Sequence, residues 1–82
     1  MNISILTADQ SIFEGEITSV KVPGVLGEFQ ILNNHAPIVS ALQEGKVTIK
    51  KADGEQMNFT IQQGFIEVLN NEVSLLVQGV QQ

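Results

Sequence analysis

Apolar and polar residues alternate along most of the chain, and this period of two limits the fold more than any other feature. Between Lys46 and Lys50, for example, Val47 and Ile49 alternate with polar neighbours. Such alternation predicts strands that turn one face towards a core. No window repeats apolar residues at helical spacing, so we expect no helix longer than one turn. Short strands at regular spacing favour an antiparallel sandwich or a flattened barrel.

Pairs of small and polar residues indicate where the strands reverse. Asp53-Gly54 lies between two alternating segments and predicts a type I′ hairpin turn, in which both central residues have positive φ. Asn70-Asn71 predicts a second hairpin turn. Gly15 interrupts the alternation of Ser11 to Val22, so we expect two strands there, joined at a corner near Gly15 to Thr18.

Length and charge exclude several classes of protein. The chain has 82 residues and no cysteine, which predicts one domain over residues 1–82 and excludes a disulfide framework. Its net charge of −5, with four lysines and no arginine, argues against nucleic-acid binding and against direct contact with anionic lipid. No apolar run approaches the roughly 18–20 residues that span a bilayer, and the N-terminus lacks the features of a signal peptide. We therefore expect no membrane insertion.

The sequence does not assemble a catalytic, metal or cofactor site. His35 is the only histidine, and one histidine cannot anchor a zinc site. No serine lies in a Gly-x-Ser-x-Gly turn that would suit a hydrolytic triad. Glu14 and Glu16 form a conceivable acid/base pair, but surface strands carry such pairs routinely. We expect no catalytic residue, no metal and no cofactor.

Unusual residues concentrate between Val22 and Leu42. This stretch holds both prolines, Pro23 and Pro37, and the only histidine, His35. We expect a fold-defining crossover or a binding surface here. His35 itself has two interpretations: a ring that bonds backbone groups, or a contact residue on an interaction loop.

The order of several motifs resembles that of one known family. The motifs are Leu6-Thr7-Ala8-Asp9, Phe13-Glu14-Gly15-Glu16, Val22-Pro23-Gly24, Gly27-Glu28-Phe29, His35-Ala36-Pro37-Ile38, Leu42-x-x-Gly45, Ala52-Asp53-Gly54 and Gly64-Phe65-Ile66-Glu67-Val68. In this order and spacing they resemble the N-terminal domain of the epsilon subunit of F-type ATP synthases, which is called delta in mitochondria. The resemblance covers nearly the whole chain.

The resemblance implies a ten-stranded antiparallel β-sandwich at the foot of the rotor's central stalk. It implies a non-catalytic subunit that links the gamma subunit to the polar loops of the c-ring and couples proton transport to ATP synthesis. It also implies a peripheral position on the membrane that holds the complex. The N-terminus lacks the character of a transit peptide, which favours a bacterial source and hence the cytoplasmic face of the inner or plasma membrane. The positions that match the c-ring loop are Leu26, Gly27, Glu28, Phe29 and Gln30, and those that match the face turned to gamma are Thr7, His35 and Ser40.

Glu28 is the central residue of the expected c-ring contact. Its carboxylate can meet cationic groups on a c-ring loop, where a charge at the rim of an interface steers association and sets register. Without the resemblance, Glu28 is also explained as a solvated carboxylate at the end of a strand.

Two features depart from the family pattern. Asn33-Asn34 stands where relatives usually have Pro-Gly, but asparagine tolerates left-handed backbone, so we expect the turn to survive. Family members usually continue into a two-helix domain that brakes ATP hydrolysis and in some bacteria binds ATP, whereas this sequence ends at Gln82. We therefore expect this polypeptide to bind no ATP and to lack the inhibitory helices.

The alternative is a swinging-arm carrier domain of the lipoyl or biotinyl type. Such domains are also acidic and all-β, and they carry a modified lysine at the tip of a hairpin. Lys50 and Lys51 lie close to Asp53-Gly54, but the acidic or methionine residue that usually precedes the modified lysine is missing. A lipoyl or biotinyl increment in the intact mass would favour the carrier.

Overall fold

The computed structural model describes residues 1–81, most of which lie in eight β-strands. In chain order the strands are β1 (Asn2–Leu6), β2 (Ser11–Gly24), β3 (Gly27–Leu32), β4 (Ile38–Leu42), β5 (Gly45–Lys51), β6 (Gln56–Ile61), β7 (Gln63–Leu69) and β8 (Glu72–Gln78). No helix forms among these residues, in agreement with the alternation of the sequence.

The strands form two layers that share β2. The first layer has the strand order β4–β7–β8–β1 and continues into the N-terminal half of β2. The second layer has the order β3–β2–β5–β6 and uses the C-terminal half of β2. Gly24 pairs with Leu42 and so joins β2 to β4 at one end of the molecule. The predicted β-sandwich is thereby confirmed.

β2 turns the corner between the two layers. Its residues up to Glu16 pair with β1, its residues from Ile17 pair with β5, and the register shifts between Ile17 and Ser19. The corner predicted near Gly15 to Thr18 therefore exists, but as an irregularity within one continuous strand. This continuity is one reason for eight strands where the resemblance implies ten.

One strand pair is parallel. β1 and β8 run in the same direction, with Ile3 opposite Val73 and Ile5 opposite Leu75. The other pairings between the strands described above are antiparallel. A purely antiparallel expectation misses this pair, because parallel partners need a long crossover and leave no hairpin turn in the sequence.

Type I′ geometry occurs at Asn70-Asn71 and not at Asp53-Gly54. Asn70 and Asn71 have φ of 51° and 63° and join β7 to β8 directly. In the β5–β6 hairpin only Gly54 has positive φ, 93°, and its N–H donates to the Lys51 carbonyl oxygen. That is the three-residue loop in which a left-handed glycine follows a tight turn. The type I′ prediction is wrong at this hairpin.

The core lies between the layers and consists of aliphatic side chains with one methionine and one phenylalanine. Val47 and Ile49 of β5 are fully buried, as their alternation predicts. Side chains from both layers meet them in a single cluster, which includes Ile3, Ile5, Val20, Ile31, Phe59, Ile61, Ile66, Val68, Val73 and Leu75. No polar or charged residue among residues 1–81 is buried. The polar residues therefore lie on the outer faces, at the turns and along the rim.

Candidate partner-contact surfaces

The β2–β3 hairpin presents two apolar residues to solvent at its tip. Val25 and Leu26 form the turn and are 50% and 101% exposed. Gly24 and Gly27 pair with each other directly behind it. A Cβ atom on Gly24 would lie 2.7 Å from the Gly27 carbonyl oxygen and 2.7 Å from the Phe29 ring, so only glycine fits there. The glycine pair thus permits a sharp turn with an apolar tip.

Four of the five residues expected to contact the c-ring face solvent on this hairpin. Leu26, Gly27, Glu28 and Gln30 are exposed, whereas Phe29 is half-buried and packs against the core. Glu28 takes part in neither of the ion pairs found among residues 1–81. Its carboxylate is therefore available to a cation on a partner, two residues from an exposed leucine.

Val25 belongs to the same tip, although the set taken from the resemblance begins at Leu26. Its exposure of 50% is close to that of Phe65 and Leu76, which lie on outer strand faces. A turn normally carries polar residues or glycine, so two adjacent apolar residues between two glycines are an unusual choice. That local signal could have identified Val25 from the sequence.

Thr7 uses its hydroxyl group to close the turn that follows β1. Its Oγ1 accepts hydrogen bonds from the Asp9 N–H at 3.2 Å and from the Gln10 N–H at 3.1 Å. Its own N–H donates to the Gln10 carbonyl oxygen at 2.9 Å. A partner would therefore meet Thr7 through the shape of this turn more than through its hydroxyl group.

His35 and Ser40 also bond backbone groups of their own segments. The His35 Nδ1–H donates to the Ala36 carbonyl oxygen at 2.7 Å, and its backbone N–H donates to the Leu32 carbonyl oxygen at 3.2 Å. Ser40 is half-buried on β4, and its Oγ donates to the Ala41 carbonyl oxygen at 3.3 Å. For His35 this geometry favours the interpretation as a ring that bonds backbone groups.

The strand registers separate Thr7 from His35. Thr7 follows Leu6, which shares a row across the first layer with Ala41 near the end of β4. His35 precedes β4, whose first residue shares a row with Ile3. At about 3.3 Å per residue, these rows are roughly 10 Å apart along the strands. The residues expected to face gamma are thus spread along the first layer and do not form one cluster.

The lysines of the β5–β6 hairpin do not lie at its tip. The Lys51 Nζ is 3.5 Å from the Glu55 carboxylate and 4.9 Å from the centre of the Phe13 ring. Lys50 lies within the ladder, opposite Gln56. Because the carrier domains attach their group to a lysine at a hairpin tip, this placement argues against the carrier interpretation.

Glu14 and Glu16 lie exposed on the outer face of the first layer. Glu14 accepts a hydrogen bond from the Ser4 Oγ at 3.1 Å, and Glu16 lies 3.9 Å from the amino terminus of Met1. Among residues 1–81 no group of three or more histidines and carboxylates is placed to hold a metal ion. The described part of the chain contains no helix with the length and hydropathy to cross a membrane.

The whole chain matches one protein-family model. This is the model of the ATP synthase delta/epsilon chain β-sandwich domain, and the match covers residues 1–82. The ATP synthase epsilon chain of Chlorobium limicola is 42% identical over 78 residues, which are 95% of this chain and 89% of that relative. The ATP synthase epsilon chain of Protochlamydia amoebophila is 38% identical over 79 residues, which are 96% of this chain and 54% of that relative.

Two solved structures contain a chain with the same fold. One, in the Euglena gracilis mitochondrial ATP synthase with its c-ring, gives a TM-score of 0.89 at 20% identity and covers 96% of this chain and 51% of that one. The other, in the central stalk and c-ring of the Tetrahymena thermophila mitochondrial ATP synthase, gives a TM-score of 0.81 at 16% identity and covers 99% of this chain and 65% of that one. At these identities the two structures establish the fold alone. The chain spans about half the length of the Protochlamydia and Euglena proteins.

Proposed function

The chain belongs to the family of ATP synthase delta/epsilon chain β-sandwich domains, and from this premise we propose that it is a rotor subunit of an F-type ATP synthase. In this role it links the gamma subunit to the polar loops of the c-ring and helps to couple proton transport to ATP synthesis. It contributes no catalytic group and binds no ATP itself. The complex holds it at the cytoplasmic face of a bacterial membrane. Relatives named ATP synthase epsilon chain support its assignment to this complex.

The observation that carries the c-ring half of the proposal is the tip of the β2–β3 hairpin. Leu26 has its whole surface exposed, and covering a leucine side chain contributes about 1.5–3 kcal/mol. Glu28 lies beside it with a carboxylate that no described residue neutralises. One apolar anchor next to one rim charge suits a polar loop that carries a cation.

The gamma half of the proposal uses a different part of the domain. Thr7 follows β1, His35 precedes β4, and Ser40 lies within β4. All three therefore belong to or adjoin the first layer, whereas the β2–β3 tip extends from the second. Contacts on different layers allow one small domain to hold two partners at once.

Glu28→Lys tests the c-ring contact. We expect this variant to bind the cognate ATP synthase, depleted of this chain, at least roughly tenfold more weakly than the parent, because it reverses the sign of a contact charge. We also expect less ATP-driven proton pumping per ATP hydrolysed. Both quantities are measured on the reconstituted complex.

Glu55→Lys is the matched control for this experiment. It makes the same charge change at the β5–β6 hairpin, where the exposed pair with Lys51 contributes at most about 1 kcal/mol to stability. The control should bind and couple like the parent. If Glu28→Lys also does so, Glu28 is not a contact residue.

A further inference from the structure

The outer edge of strand β6 is open along most of its length. β6 is the last strand of the second layer, and among residues 1–81 it pairs with β5 on one side and with the single residue Gln81 on the other. The Thr60 N–H donates to the Gln81 carbonyl oxygen at 2.8 Å, and the Gln81 N–H donates to the Thr60 carbonyl oxygen at 2.9 Å. Both backbone groups of Thr60 therefore point away from β5.

The backbone groups of Asn58 and Gln56 point to the same open side. Every second residue of an antiparallel strand turns its N–H and C=O groups to the same neighbour. The Lys51 N–H donates to the Glu55 carbonyl oxygen at 2.8 Å, which fits, because Glu55 and Thr60 are an odd number of positions apart and bond to opposite sides. Among residues 1–81, no backbone group pairs with Asn58 or Gln56 from the open side.

β6 also lacks the features that usually protect such an edge. Edge strands commonly carry lysine, proline or a bulge that discourages a further strand. Residues 56–61 include no charged residue, no proline and no glycine, and they pair with β5 without a shift in register. The other edge of the second layer, β3, begins with Gly27 and Glu28 and belongs to the hairpin described above. β6 is therefore the edge of this layer that accepts a further strand most readily.

A groove adjoins the open edge at the point where the pairing with Gln81 ends. It has a volume of about 250 Å³, and its lining residues are Lys46, Asn58, Phe59, Thr60 and Gln81. It gives a further strand room beside Asn58. On the inner side of the same edge, Met57 is half-buried and packs against the core. An apolar side chain that faces inwards from a further strand would cover Met57.

Three lysines give the outer face of the second layer a positive charge beside this edge. Lys21 lies opposite Thr48 of β5, and Lys46 and Lys50 stand two residues to either side of Thr48. Such diagonal neighbours lie about 7–8 Å apart. Among residues 1–81 no carboxylate lies within 4 Å of any of these three amino groups, since the two ion pairs found there use Met1 and Lys51.

We propose that the open edge of β6 binds an extended, acidic segment of a partner protein by strand addition. Backbone hydrogen bonds to Asn58 and Gln56 supply the affinity, as in other domains that add a peptide strand to a sheet. Apolar side chains of the segment cover Met57, while its carboxylates face outwards. Lys46 and Lys50 then lie two strands away, roughly 10 Å, which a lysine and a glutamate side chain span together.

The charge of this region argues against a second copy of the chain as the occupant. β6 itself carries no carboxylate, so two β6 edges paired with each other would bring no negative charge to the lysines. Gln81 would in addition block the Thr60 end of each edge. The inference goes beyond the rotor role, because β6 holds none of the residues proposed to contact gamma or the c-ring.

Hydrogen exchange of the free chain, followed by NMR, tests whether the edge is open. By the alternation described above, the Met57 and Phe59 amides bond to β5. We expect the Gln56 and Asn58 amide hydrogens to exchange at least about tenfold faster than those of Met57 and Phe59, because they lie outside the ladder. Equal protection of all four amides would show that the edge is closed and overturn the proposal.

Synthetic peptides test the strand addition itself. The probe is a peptide in which valine and glutamate alternate, and its matched control has lysine in place of glutamate. We expect the glutamate peptide to slow exchange of the Asn58 and Gln56 amides and to bind at least roughly tenfold more tightly than the lysine peptide. A glutamate peptide that leaves both amides unchanged at millimolar concentration contradicts strand addition, and equal affinity of the two peptides contradicts selection of an acidic segment.

Asn58→Pro and Asn58→Ala separate backbone pairing from side-chain contact. Proline removes the N–H that faces the open edge, and edge strands tolerate it for that reason, whereas alanine keeps the N–H. We expect Asn58→Pro to bind the glutamate peptide at least about tenfold more weakly than the parent and Asn58→Ala to bind within about twofold of it. Circular dichroism melts verify that both variants are folded. Equal binding by the parent and a folded Asn58→Pro rules out pairing at this edge.

The lysines are tested without any change to the edge itself. Lys46→Gln/Lys50→Gln should bind the glutamate peptide about fivefold more weakly and with less dependence on salt, because two screened attractions are lost. Lys21→Gln is the control, since Lys21 lies one strand farther from the edge, and it should change the affinity less than about twofold. An unchanged affinity of the double variant overturns the role of the lysines. None of these measurements involves gamma or the c-ring, so a negative result leaves the rotor role standing.

Discussion

Asparagines hold three left-handed positions of the backbone. Asn34, Asn70 and Asn71 have φ of 64°, 51° and 63°. Asn34 thus keeps a left-handed residue in the turn for which the resemblance implies Pro-Gly, as its tolerance of that conformation predicts. Asn71 has a second task, since its Oδ1 accepts a hydrogen bond from the Asn34 N–H at 2.8 Å. This bond ties the loop that carries His35 to the β7–β8 hairpin.

Asn71→Gly should lower the free energy of unfolding by about 1 kcal/mol, through loss of the bond to Asn34. Glycine accepts the positive φ, so the backbone conformation itself is retained. Asn70→Gly is the matched control, because it changes the same residue type in the same turn at φ of 51° and leaves the Asn71–Asn34 bond in place. Urea unfolding followed by circular dichroism measures both. Equal effects would contradict a stabilising role of the Asn71 side chain.

The β2–β3 hairpin differs from the other elements in the composition of its turn. Its turn residues, Val25 and Leu26, are apolar, although the backbone around them is well anchored. The Val25 N–H donates to the Ala41 carbonyl oxygen at 3.2 Å, and the Gln43 N–H donates to the Pro23 carbonyl oxygen at 2.9 Å. These bonds fasten the base of the hairpin to β4 and the residue after it. The tip side chains contribute little to the core and are available to a partner.

The double variant Val25→Ser/Leu26→Ser should separate stability from binding. We expect the free energy of unfolding to change by less than about 0.5 kcal/mol, because both residues are exposed. We expect binding to the c-ring within the reconstituted complex to weaken at least roughly tenfold, because burial of Leu26 contributes about 1.5–3 kcal/mol. Unchanged coupling in a complex that carries this variant would contradict the c-ring contact at the tip.

The whole molecule combines one core with two differently charged layers. A single cluster of buried residues connects both layers. The lysines lie on the second layer, while the outer face of the first carries Glu14, Glu16, Glu67 and Glu72. The net charge of −5 is therefore unevenly distributed. In the proposed rotor role, this asymmetry would present a different surface to each of the two partners.

We propose that residues 1–82 unfold as one cooperative domain, and Ile49→Ala tests this. Ile49 is fully buried, so the substitution should cost about 2–5 kcal/mol, a large part of the roughly 5–15 kcal/mol that stabilises a native protein. The chain has no tryptophan or tyrosine, so circular dichroism and amide NMR signals are the suitable probes. The circular dichroism signal and the amide signals from both layers should all give the same lowered midpoint of unfolding.

Val39→Ala is the control for the core substitution. Val39 is 67% exposed on the outer face of the first layer, so the change in stability should stay within about 0.5 kcal/mol. Different midpoints for the two layers in the Ile49→Ala protein would contradict a single cooperative unit.

Most strands were predictable from the sequence, and their pairing was less so. The alternation around Val47 and Ile49 identifies β5 and its buried face. The prediction of a type I′ turn at Asp53-Gly54 was wrong, because the loop includes a third residue and only Gly54 takes positive φ. The residues expected to contact the c-ring all lie on one hairpin, but the Phe29 side chain packs against the core. Its inward direction follows from the pleat, which places neighbours such as Glu28 on the opposite face.

The sequence by itself determined the all-β class, the family and the buried face of alternating strands such as β5, because alternation and motif order are properties of short segments. Only the tertiary structure decided which distant residues lie side by side. Leu6, Ala41, Phe65 and Leu76 form one row solely because the parallel β1–β8 pair and two antiparallel pairs set their registers. A shift of one residue in any of these registers would turn part of the row into the core. This row is therefore a product of strand pairing, which the local sequence does not encode.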